Sequence, residues 1–503
     1  MPRALLALCV TLLAGPLVAA EQIDIGLTSS GARIQGVSIP GPSPNSPTVL
    51  LIGGVSANDP SVASVREHIQ EFDSLRPQDR GFRLLAIPLA NPDGTTLKFP
   101  PTGLAYRENA TANVLWRWIG IHAPDLVLVA GNEDFGLAQA LSQETVAEVG
   151  HIPARRVPAR PGKDGLFVMK PGDPGISDAH RELDRRLARS PRQLADKLAL
   201  YYGHDFDEPL YIQAIALIAQ IRLGHIDEVK RLVEPYVDGA KNSLENPSSL
   251  VLAGHMVFTE LARRTNDARY VQMVRKVADL GFAPNGQMKE SMPYHEYTSD
   301  SVFMGSVIAA QAGALTGNPK YFDLAARHIE YMQKFVLRPD GLYRHQPMTE
   351  AAWGRGNAFP AIGLALTLTE FPQDHPDWER LMRDYQAQMD VLARYQDSDG
   401  LWRNVIDYPG AYPEFSATAM IGFAMLRGVK SGWLPSEKYQ PIVDKAWRAV
   451  LVRVGPEGHV VDGCESTPKQ KNTGEYLRRA AILGADPRSG AMAMMFAVEK
   501  AGL

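Results

Sequence analysis

The chain has 503 residues, with 52 lysines and arginines against 56 aspartates and glutamates, and its formal net charge is −4. Because the charges nearly balance and no basic run stands out, the sequence does not predict nucleic-acid binding. After residue 20 no apolar run approaches the ~18 residues that a membrane-spanning helix needs, so no membrane span is predicted. A chain of this length favours two or three domains.

The first twenty residues have the pattern of a secretory signal peptide. Arg3 precedes the apolar stretch Ala4–Leu17, and the small residues Val18–Ala20 follow it. A basic start, a short apolar segment and small residues at the cleavage point are typical of export signals. We therefore expect residues 1–20 to be removed and the mature protein to be periplasmic or secreted.

Only Cys464 would remain after this cleavage, because the other cysteine, Cys9, lies in the apolar stretch. A single thiol excludes an internal disulfide, and it also excludes a structural zinc site built from several thiolates. We expect Cys464 to be a small core residue, since buried cysteines pack as hydrophobic side chains.

Residues 21–160 are predicted to form an α/β domain. Short apolar runs that end in glycine or asparagine turns alternate with helical patterns, which favours buried strands in a mostly parallel sheet. The predicted strands are Thr48–Ile52, Arg83–Leu89 and Asp125–Ala130, and the predicted helices are Ser61–Ser74 and Ala110–Ile121. Residues 161–190 continue a segment rich in arginine, proline and glycine, and they are predicted to be a linker that ends in a helix start.

From residue 191 to residue 503 the strand signals give way to about twelve helical patterns, which pair into six hairpins. A turn sequence recurs with its glycine at 286, 341, 400 and 458, so the spacings are 55, 59 and 58 residues. Gly356–Leu368 and Ser416–Leu426 are apolar nearly all round, whereas Trp378–Tyr395 and Lys438–Val452 carry one apolar stripe. Such buried and surface helices in alternation predict an all-α toroid, with an open solenoid as the alternative.

The starts of the predicted inner helices occupy one position in the repeat, so a toroid would bring them to one rim. Helix N-termini favour anionic ligands through their free N–H groups and the helix dipole. Acidic, basic and aromatic side chains at such a rim favour the binding of an acidic sugar. The candidate residues are Asp300, Tyr343, His345, Trp353, Arg355, Asn357, Trp402, Tyr412, Glu414 and Thr418.

Structural roles compete with these functional ones. Asp300 could cap its helix, and Arg355 could pair with a structural acid. Trp353 and Trp402 could be core aromatic residues, and His345 could be a hydrogen-bonding residue of the core. The joint placement of the set favours the functional interpretation.

Several segments of the C-terminal region resemble motifs of a known family. The segment Trp353–Asn357, which reads WGRGN, resembles the signature of the unsaturated rhamnogalacturonyl hydrolases, glycoside hydrolase family 105, which are related to the unsaturated glucuronyl hydrolases of family 88. Further segments resemble motifs of that family, and they are Asp300–Met304, Gly341–His345, Glu414–Met420 and Cys464–Thr467. Phe359 stands in place of the family's signature tryptophan, and Leu244–Ser249 contains no aspartate to match the family's further acid.

The resemblance implies an (α/α)6 barrel that works without a metal or another cofactor. It also implies hydration of the C4–C5 double bond of an unsaturated uronic acid at the non-reducing end of a pectin-type oligosaccharide. Asp300 would be the general acid/base, Arg355 would bind the carboxylate, and Trp353 and Trp402 would stack on sugar rings. The other substrate-binding residues would be His345, Asn357, Glu414 and Thr418.

Three other functions remain open at the level of sequence. The barrel could be another uronic-acid glycosidase, or it could be a non-catalytic carbohydrate-binding protein. The N-terminal half could instead act as a peptidase or deacylase. The segment Gly53–Pro60 resembles the first zinc motif of carboxypeptidase-like enzymes, but Ser56, Asp59 and Ala130 or Gly131 stand where zinc ligands would be. We therefore expect a degenerate domain that binds no catalytic zinc.

Overall fold

The structure is a computed structural model that describes residues 20–160 and 174–503. The predicted signal peptide before Ala20 and residues 161–173 of the predicted linker lie outside the described residues. Within the two described ranges, none of the helices combines the length and the apolar character that crossing a membrane requires.

The N-terminal unit is built on a mixed six-stranded sheet in the order β1-β2-β4-β3-β5-β6. Strands β4, β3, β5 and β6 run parallel, while β1 and β2 join the edge of β4 in antiparallel pairing. The strands are β1 Glu21–Leu27, β2 Arg33–Ile39, β3 Thr48–Ile52, β4 Arg83–Ile87, β5 Leu126–Ala130 and β6 Ala154–Val157. The helices are α1 Ser61–Ser74, a 3-10 turn at Pro77–Asp79, α2 Ala110–His122 and α3 Leu137–Gln143.

The three predicted strands and both predicted helices of this unit are confirmed. The sheet is mixed rather than mostly parallel, because β1 and β2 form an antiparallel hairpin that the sequence analysis did not predict. The central strand β3 is buried at all five positions. Its sequence is therefore continuously apolar, and this pattern predicted the strand. The edge strand β6, with the sequence ARRV, is exposed at its two arginines and carries no such signal.

The C-terminal unit is a closed ring of six helical hairpins. Its inner layer is α6 Tyr211–Leu223, the broken helix α8 Ser249–Gly254 with α9 Met256–Thr265, α11 Asp300–Thr316, α13 Gly354–Glu370, α15 Phe415–Lys430 and α18 Pro487–Ala501. Its outer layer is α5 Pro191–Ala199, α7 Ile226–Val237, α10 Ala268–Ala278 with a 3-10 turn at Asp279–Gly281, α12 Lys320–Val336, α14 Trp378–Arg394 and α16 Ser436–Arg453. Each inner helix contacts the next one, and α18 contacts α6. The ring therefore closes, and the open solenoid is excluded.

The recurring turn sequence has a common conformation. Gly286, Gly341, Gly400 and Gly458 all have positive φ, between 72° and 90°. Glycine adopts this left-handed conformation without the steric cost that a side chain brings. The repeat in the sequence therefore marks one tight turn that is used four times between an outer helix and the following inner helix.

The second half of the predicted linker is folded. Residues 178–187 form α4, Asp178–Leu187, which contacts α16. The buried Arg186 donates hydrogen bonds to the carbonyls of Glu148 and Val452, one in each unit. This helix therefore contacts both units, and it lies where the sequence predicted a helix start at the end of the linker. The remaining elements are β7 Trp402–Arg403, β8 Pro413–Glu414, β9 Val460–Cys464, α17 Thr473–Leu477 and β10 Ala481–Gly484.

Candidate active site

The inner-helix starts meet at one end of the barrel, as the repeat predicted. Asp300 begins α11, and Arg355 lies in the first turn of α13. Tyr211 begins α6, and Arg488 lies in the first turn of α18, where its Nε donates to the Tyr211 hydroxyl at 3.1 Å. Asp300 interacts electrostatically with both arginines. One carboxyl group therefore interacts with positive charges at the starts of two other inner helices.

The carboxyl of Asp300 has a raised pKa. Burial raises the pKa of its carboxyl to about 7, against the lowering effect of Arg355 and Arg488. Its side chain is 22% exposed, and its Oδ1 atom has no hydrogen-bond partner among the described residues. A carboxyl that is largely removed from water favours its protonated form.

His345 lies between Asp300 and Tyr476. Its Nε2 atom is 3.8 Å from Asp300 Oδ1, and its Nδ1 atom is 2.7 Å from the hydroxyl of Tyr476. Burial lowers the pKa of His345 to about 3, and the nearby Arg355 and Lys469 add to this effect. The imidazole is therefore uncharged at neutral pH.

Arg355 is held by backbone carbonyls. Its Nη1 donates to Cys464 O at 2.9 Å and its Nη2 donates to Glu465 O at 2.8 Å. The guanidinium also lies 4.6 Å from the ring of Trp353. Burial lowers the pKa of Arg355, but Cys464, Glu414 and Asp300 outweigh burial and raise it. Arg355 is thus a fixed charge beside Asp300, with much of its donor capacity already in use.

Trp402 and Thr418 do not face the rim. Trp402 is fully buried, and its indole N–H donates to Leu392 O at 2.7 Å. The Thr418 hydroxyl donates to Glu414 O at 2.8 Å and accepts from the backbone N–H of Trp402 at 3.1 Å. This corrects the expectation that both residues contact the substrate, since a buried side chain whose polar atoms are paired offers nothing to a ligand.

Asn357 and Glu414 also have internal partners. The Asn357 side chain bonds both the N–H and the carbonyl of Tyr343, at 2.7 and 2.8 Å. Glu414 caps α15, accepting from Ser416 N and Ala417 N, and it also accepts from Cys464 N at 2.9 Å. Both residues have no exposed surface. We therefore reassign them from substrate contact to the support of the loops that carry His345 and Cys464.

Trp353 is only 1% exposed, with the imidazole of His345 at 4.5 Å and the guanidinium of Arg355 over its ring. Its ring is therefore packed against these two side chains, and its stacking on a sugar stays a prediction. Aromatic surface is available elsewhere, because Tyr294 and Tyr297 are each 42% exposed in the loop that precedes Asp300. Both residues adopt left-handed backbone conformations. Such conformations cost free energy, and they cluster at functional sites.

Tyr211, Arg488 and Tyr476 were not predicted from the sequence. The signal for the first two was present, because each stands at the start of an inner helix, where the other candidates were found. Tyr476 lies in the short helix α17 outside the hairpin pattern, and only its contact with His345 identifies it.

The zinc-motif positions of the N-terminal unit lie close together. Ser56 Oγ donates to Asp59 Oδ2 at 3.1 Å, and the α-carbon of Gly131 faces the same carboxylate. Across residues 20–160 and 174–503, no group of three or more His, Cys, Asp or Glu side chains is arranged to hold a metal. The carboxypeptidase-like resemblance and the lack of catalytic zinc stay predictions, and metal analysis of the purified protein tests the second.

Proteins of known structure share the fold of the barrel. The chain is similar to a possible member of glycoside hydrolase family 105 from Salmonella enterica, with a TM-score of 0.52 and 19% identity. That similarity covers 67% of this chain and 98% of the other one, and it shows a shared fold.

The similarity to curated proteins covers a smaller part of this chain. The chain is 27% identical over 271 residues to the unsaturated rhamnogalacturonyl hydrolase YesR of Bacillus subtilis, across 50% of this chain and 76% of that protein. It is 27% identical over 174 residues to an unsaturated 3S-rhamnoglycuronyl hydrolase of Alteromonas sp., across 32% of this chain and 42% of that protein. The match thus spans less than half the length of the Alteromonas protein. The profile of glycosyl hydrolase family 88 matches residues 213–502. Because this match extends over more than half of the chain, the protein belongs to glycosyl hydrolase family 88.

Proposed function

We propose that the protein hydrates the C4–C5 double bond of an unsaturated uronic acid at the non-reducing end of a pectin-type oligosaccharide, with Asp300 as general acid/base. The observation that carries this proposal is a carboxyl group whose pKa is raised to about 7 beside two arginines at the mouth of the barrel. Family membership supports the same chemistry.

Asp300 would deliver the first proton. A free aspartate, with a pKa near ~3.9, is almost fully ionised at neutral pH and is a poor acid there. At a pKa of about 7, half of the Asp300 carboxyls hold a proton at that pH. That proton would pass to C4 of the sugar, and the developing positive charge would spread over C5 and the ring oxygen. General acid catalysis works best when the pKa lies near the working pH.

The same carboxyl would then act as a base. After proton transfer Asp300 is a carboxylate, and Arg355 and Arg488 stabilise its charge. A water molecule adds to C5 and gives a proton back to Asp300, so the enzyme returns to its starting state. The hemiketal at C5 then opens, and the remaining sugar is released. One residue can therefore serve both proton transfers.

Arg488 is the better candidate for binding the substrate carboxylate. Arg355 is 2% exposed, and both of its Nη atoms donate to carbonyls of the protein. Arg488 is half-buried, and its hydrogen bond to Tyr211 uses Nε. A guanidinium edge suits a carboxylate through paired hydrogen bonds. We assign carboxylate binding to Arg488 and electrostatic stabilisation of Asp300 to Arg355.

The names of both curated relatives combine rhamnose with a uronyl group. Unsaturated rhamnogalacturonan and rhamnoglycuronan disaccharides are therefore the first substrates to test. The conjugated double bond absorbs in the ultraviolet, so hydration can be followed as a loss of absorbance. We expect the wild-type protein to abolish this absorbance.

The Asp300→Asn variant should lose activity by at least ~100-fold, because the amide cannot donate the proton. Asp384→Asn is a matched control, since burial also raises the pKa of Asp384, which lies on the outer helix α14. This control should retain activity. If the wild-type protein leaves every unsaturated uronyl substrate unchanged, or if both variants lose activity equally, the proposal fails.

Two alternatives have their own readouts. Release of a chromophore from saturated aryl uronides, without loss of ultraviolet absorbance, would indicate another uronic-acid glycosidase. Binding of the disaccharides without turnover would indicate a carbohydrate-binding protein. Export to the periplasm or the medium is also our proposal, supported by the pattern of residues 1–20. Amino-terminal sequencing of the mature protein tests it, with Glu21 as the expected first residue.

A further inference from the structure

A buried ion pair joins the two units. Arg117 of α2 donates from Nη1 to Asp462 Oδ1 of β9 at 2.8 Å, and from Nη2 to Ala481 O of β10 at 3.2 Å. The hydroxyl of Tyr106 donates to the same carboxylate oxygen at 2.8 Å. The side chains of Arg117 and Asp462 are 8% and 2% exposed. Two donors from the N-terminal unit therefore hold one carboxylate of the barrel.

The strand that carries Asp462 leads directly to the active site. Two residues later, Cys464 donates its N–H to Glu414 Oε1 and accepts from Arg355 Nη1. The next residue, Glu465, accepts from Arg355 Nη2. The two carbonyls that hold Arg355 beside Asp300 thus follow Asp462 within three positions of the chain.

The backbone at Asp462 has an unusual conformation for a strand residue. Asp462 has a φ of 69°, and the pairing of β9 with β10 is irregular nearby. A left-handed residue inside a strand is disfavoured and persists only where its surroundings determine it. The bonds from Arg117 and Tyr106 hold the side chain of this residue from outside the barrel.

A second contact reaches the same wall of the site. Tyr106 stacks on Tyr412, with ring centres 4.4 Å apart and planes within 4° of each other. Tyr412 lies two residues before Glu414, which caps α15 and holds Cys464. The N-terminal unit therefore contacts β9 and the residue that precedes β8, next to the two segments that position the acceptors of Arg355.

We propose that the N-terminal unit is a working part of the active site, in which Arg117 is a positioning residue that fixes Arg355 beside Asp300 through Asp462 and β9. The catalytic consequence rests on the proposed function, whereas the positioning of β9 does not. A buried ion pair contributes little net stability compared with apolar packing, but it fixes the geometry of its partners. That property is what a strand holding a catalytic charge needs.

The position of β9 can be measured without any substrate. The Cys464 thiol is fully buried at the end of β9, and a Cys9→Ser background makes it the sole thiol of the chain. We expect Arg117→Leu to increase the rate of Cys464 modification by a disulfide reagent at least ~10-fold under native conditions, because local opening exposes buried groups. Arg117→Lys should restore much of the protection.

Arg80→Leu is the matched control. Arg80 is also a buried arginine of the N-terminal unit, but it donates to carbonyls of Pro40, Asp73 and Leu75 in that unit alone. We expect it to lower the unfolding midpoint without increasing thiol modification. Equal modification rates in Arg117→Leu and Arg80→Leu would overturn the proposal. If Arg117→Leu does not fold, Tyr106→Phe removes one bond to Asp462, and modification at the wild-type rate in that variant would overturn it instead.

A kinetic readout tests the consequence for Asp300. Its carboxyl is faced by Arg355, Arg488, His345 and Tyr476, and Arg355 lowers its pKa. Displacing Arg355 should therefore move the alkaline limb of kcat/KM to higher pH in Arg117→Leu and leave it in place in Arg80→Leu. Lack of activity in the wild-type protein would refute the proposed function, whereas an unshifted limb in an active Arg117→Leu variant would refute the positioning of Arg355.

Discussion

The imidazole of His345 lies against the carboxyl of Asp300, with 3.8 Å between Nε2 and Oδ1. The Tyr476 hydroxyl accepts from Gln470 N at 3.2 Å and lies 2.7 Å from His345 Nδ1. The imidazole is therefore hydrogen-bonded on the side that faces away from Asp300. Because burial lowers its pKa to about 3, His345 lies against Asp300 without the positive charge that would favour ionisation of the carboxyl.

The activity of the wild-type protein should fall as pH rises through about 7. Asp300 must be protonated to donate, and burial raises its pKa to that value. His345 adds no limb near neutrality, because its pKa is lowered to about 3. A kcat/KM profile on an unsaturated disaccharide between pH 4 and pH 9 measures the limb. A profile that rises through pH 7 would contradict the assigned role of Asp300.

Asp300→Asn should be more stable than the wild-type protein at pH 8.5. The folded-state pKa of about 7 lies above the ordinary 3.8, so folding favours the protonated carboxyl and wild-type stability falls as pH rises from about 4 to about 7. The asparagine variant avoids this loss, which is at most about 4 kcal/mol. Urea unfolding at pH 4 and at pH 8.5 measures the difference, which should appear only at the higher pH. A variant less stable at both values would show that the carboxylate is not penalised by burial.

Tyr476→Phe should lower kcat by ~10-fold or more and leave KM nearly unchanged. The variant removes the hydroxyl that holds His345 Nδ1, so the imidazole can rotate away from Asp300. Steady-state kinetics measure the effect, and an unchanged unfolding midpoint shows that the fold persists. Unaltered kcat would mean that the orientation of His345 does not matter.

Arg488→Met should raise KM by at least ~10-fold if this guanidinium binds the substrate carboxylate. The variant should also move the alkaline limb upward, because Arg488 lowers the pKa of Asp300. Arg488→Lys keeps the charge but not the planar donor edge, so it should restore the limb and only part of KM. Kinetics over the same pH range separate these effects, and a limb that shifts equally in both variants would contradict them.

The ring of hairpins was predictable because its signals are local. A left-handed glycine after each outer helix, as at Gly341 and Gly400, recurs at nearly constant spacing. Inner helices such as α13 are apolar all round because neighbours cover every side. The hairpin of β1 and β2 was missed, since pairing between strands depends on partners far along the chain.

The positions of the candidate site residues were predictable from the sequence, but the roles of their side chains were not. Asp300 and Arg355 share a rim because their helix starts share a place in the repeat. Sequence position does not tell which way a side chain points, so Glu414 and Trp402 were expected to face the ligand and are instead buried. The contribution of Arg117 depends on packing between two units, for which no local pattern exists.

Variants of Trp402 and Tyr294 test which aromatic side chains contact the substrate, and we expect opposite results for the two. Trp402→Phe should lower the free energy of unfolding by about 1–3 kcal/mol, because it leaves the carbonyl of Leu392 without its buried donor. Its KM should stay within about two-fold of the wild-type value, since the ring has no exposed surface. Tyr294→Ala should leave the unfolding midpoint nearly unchanged, because its side chain is 42% exposed, and should raise KM several-fold. Urea unfolding and steady-state kinetics on both variants decide the matter: a raised KM in Trp402→Phe with an unchanged midpoint would return Trp402 to the sugar-binding surface.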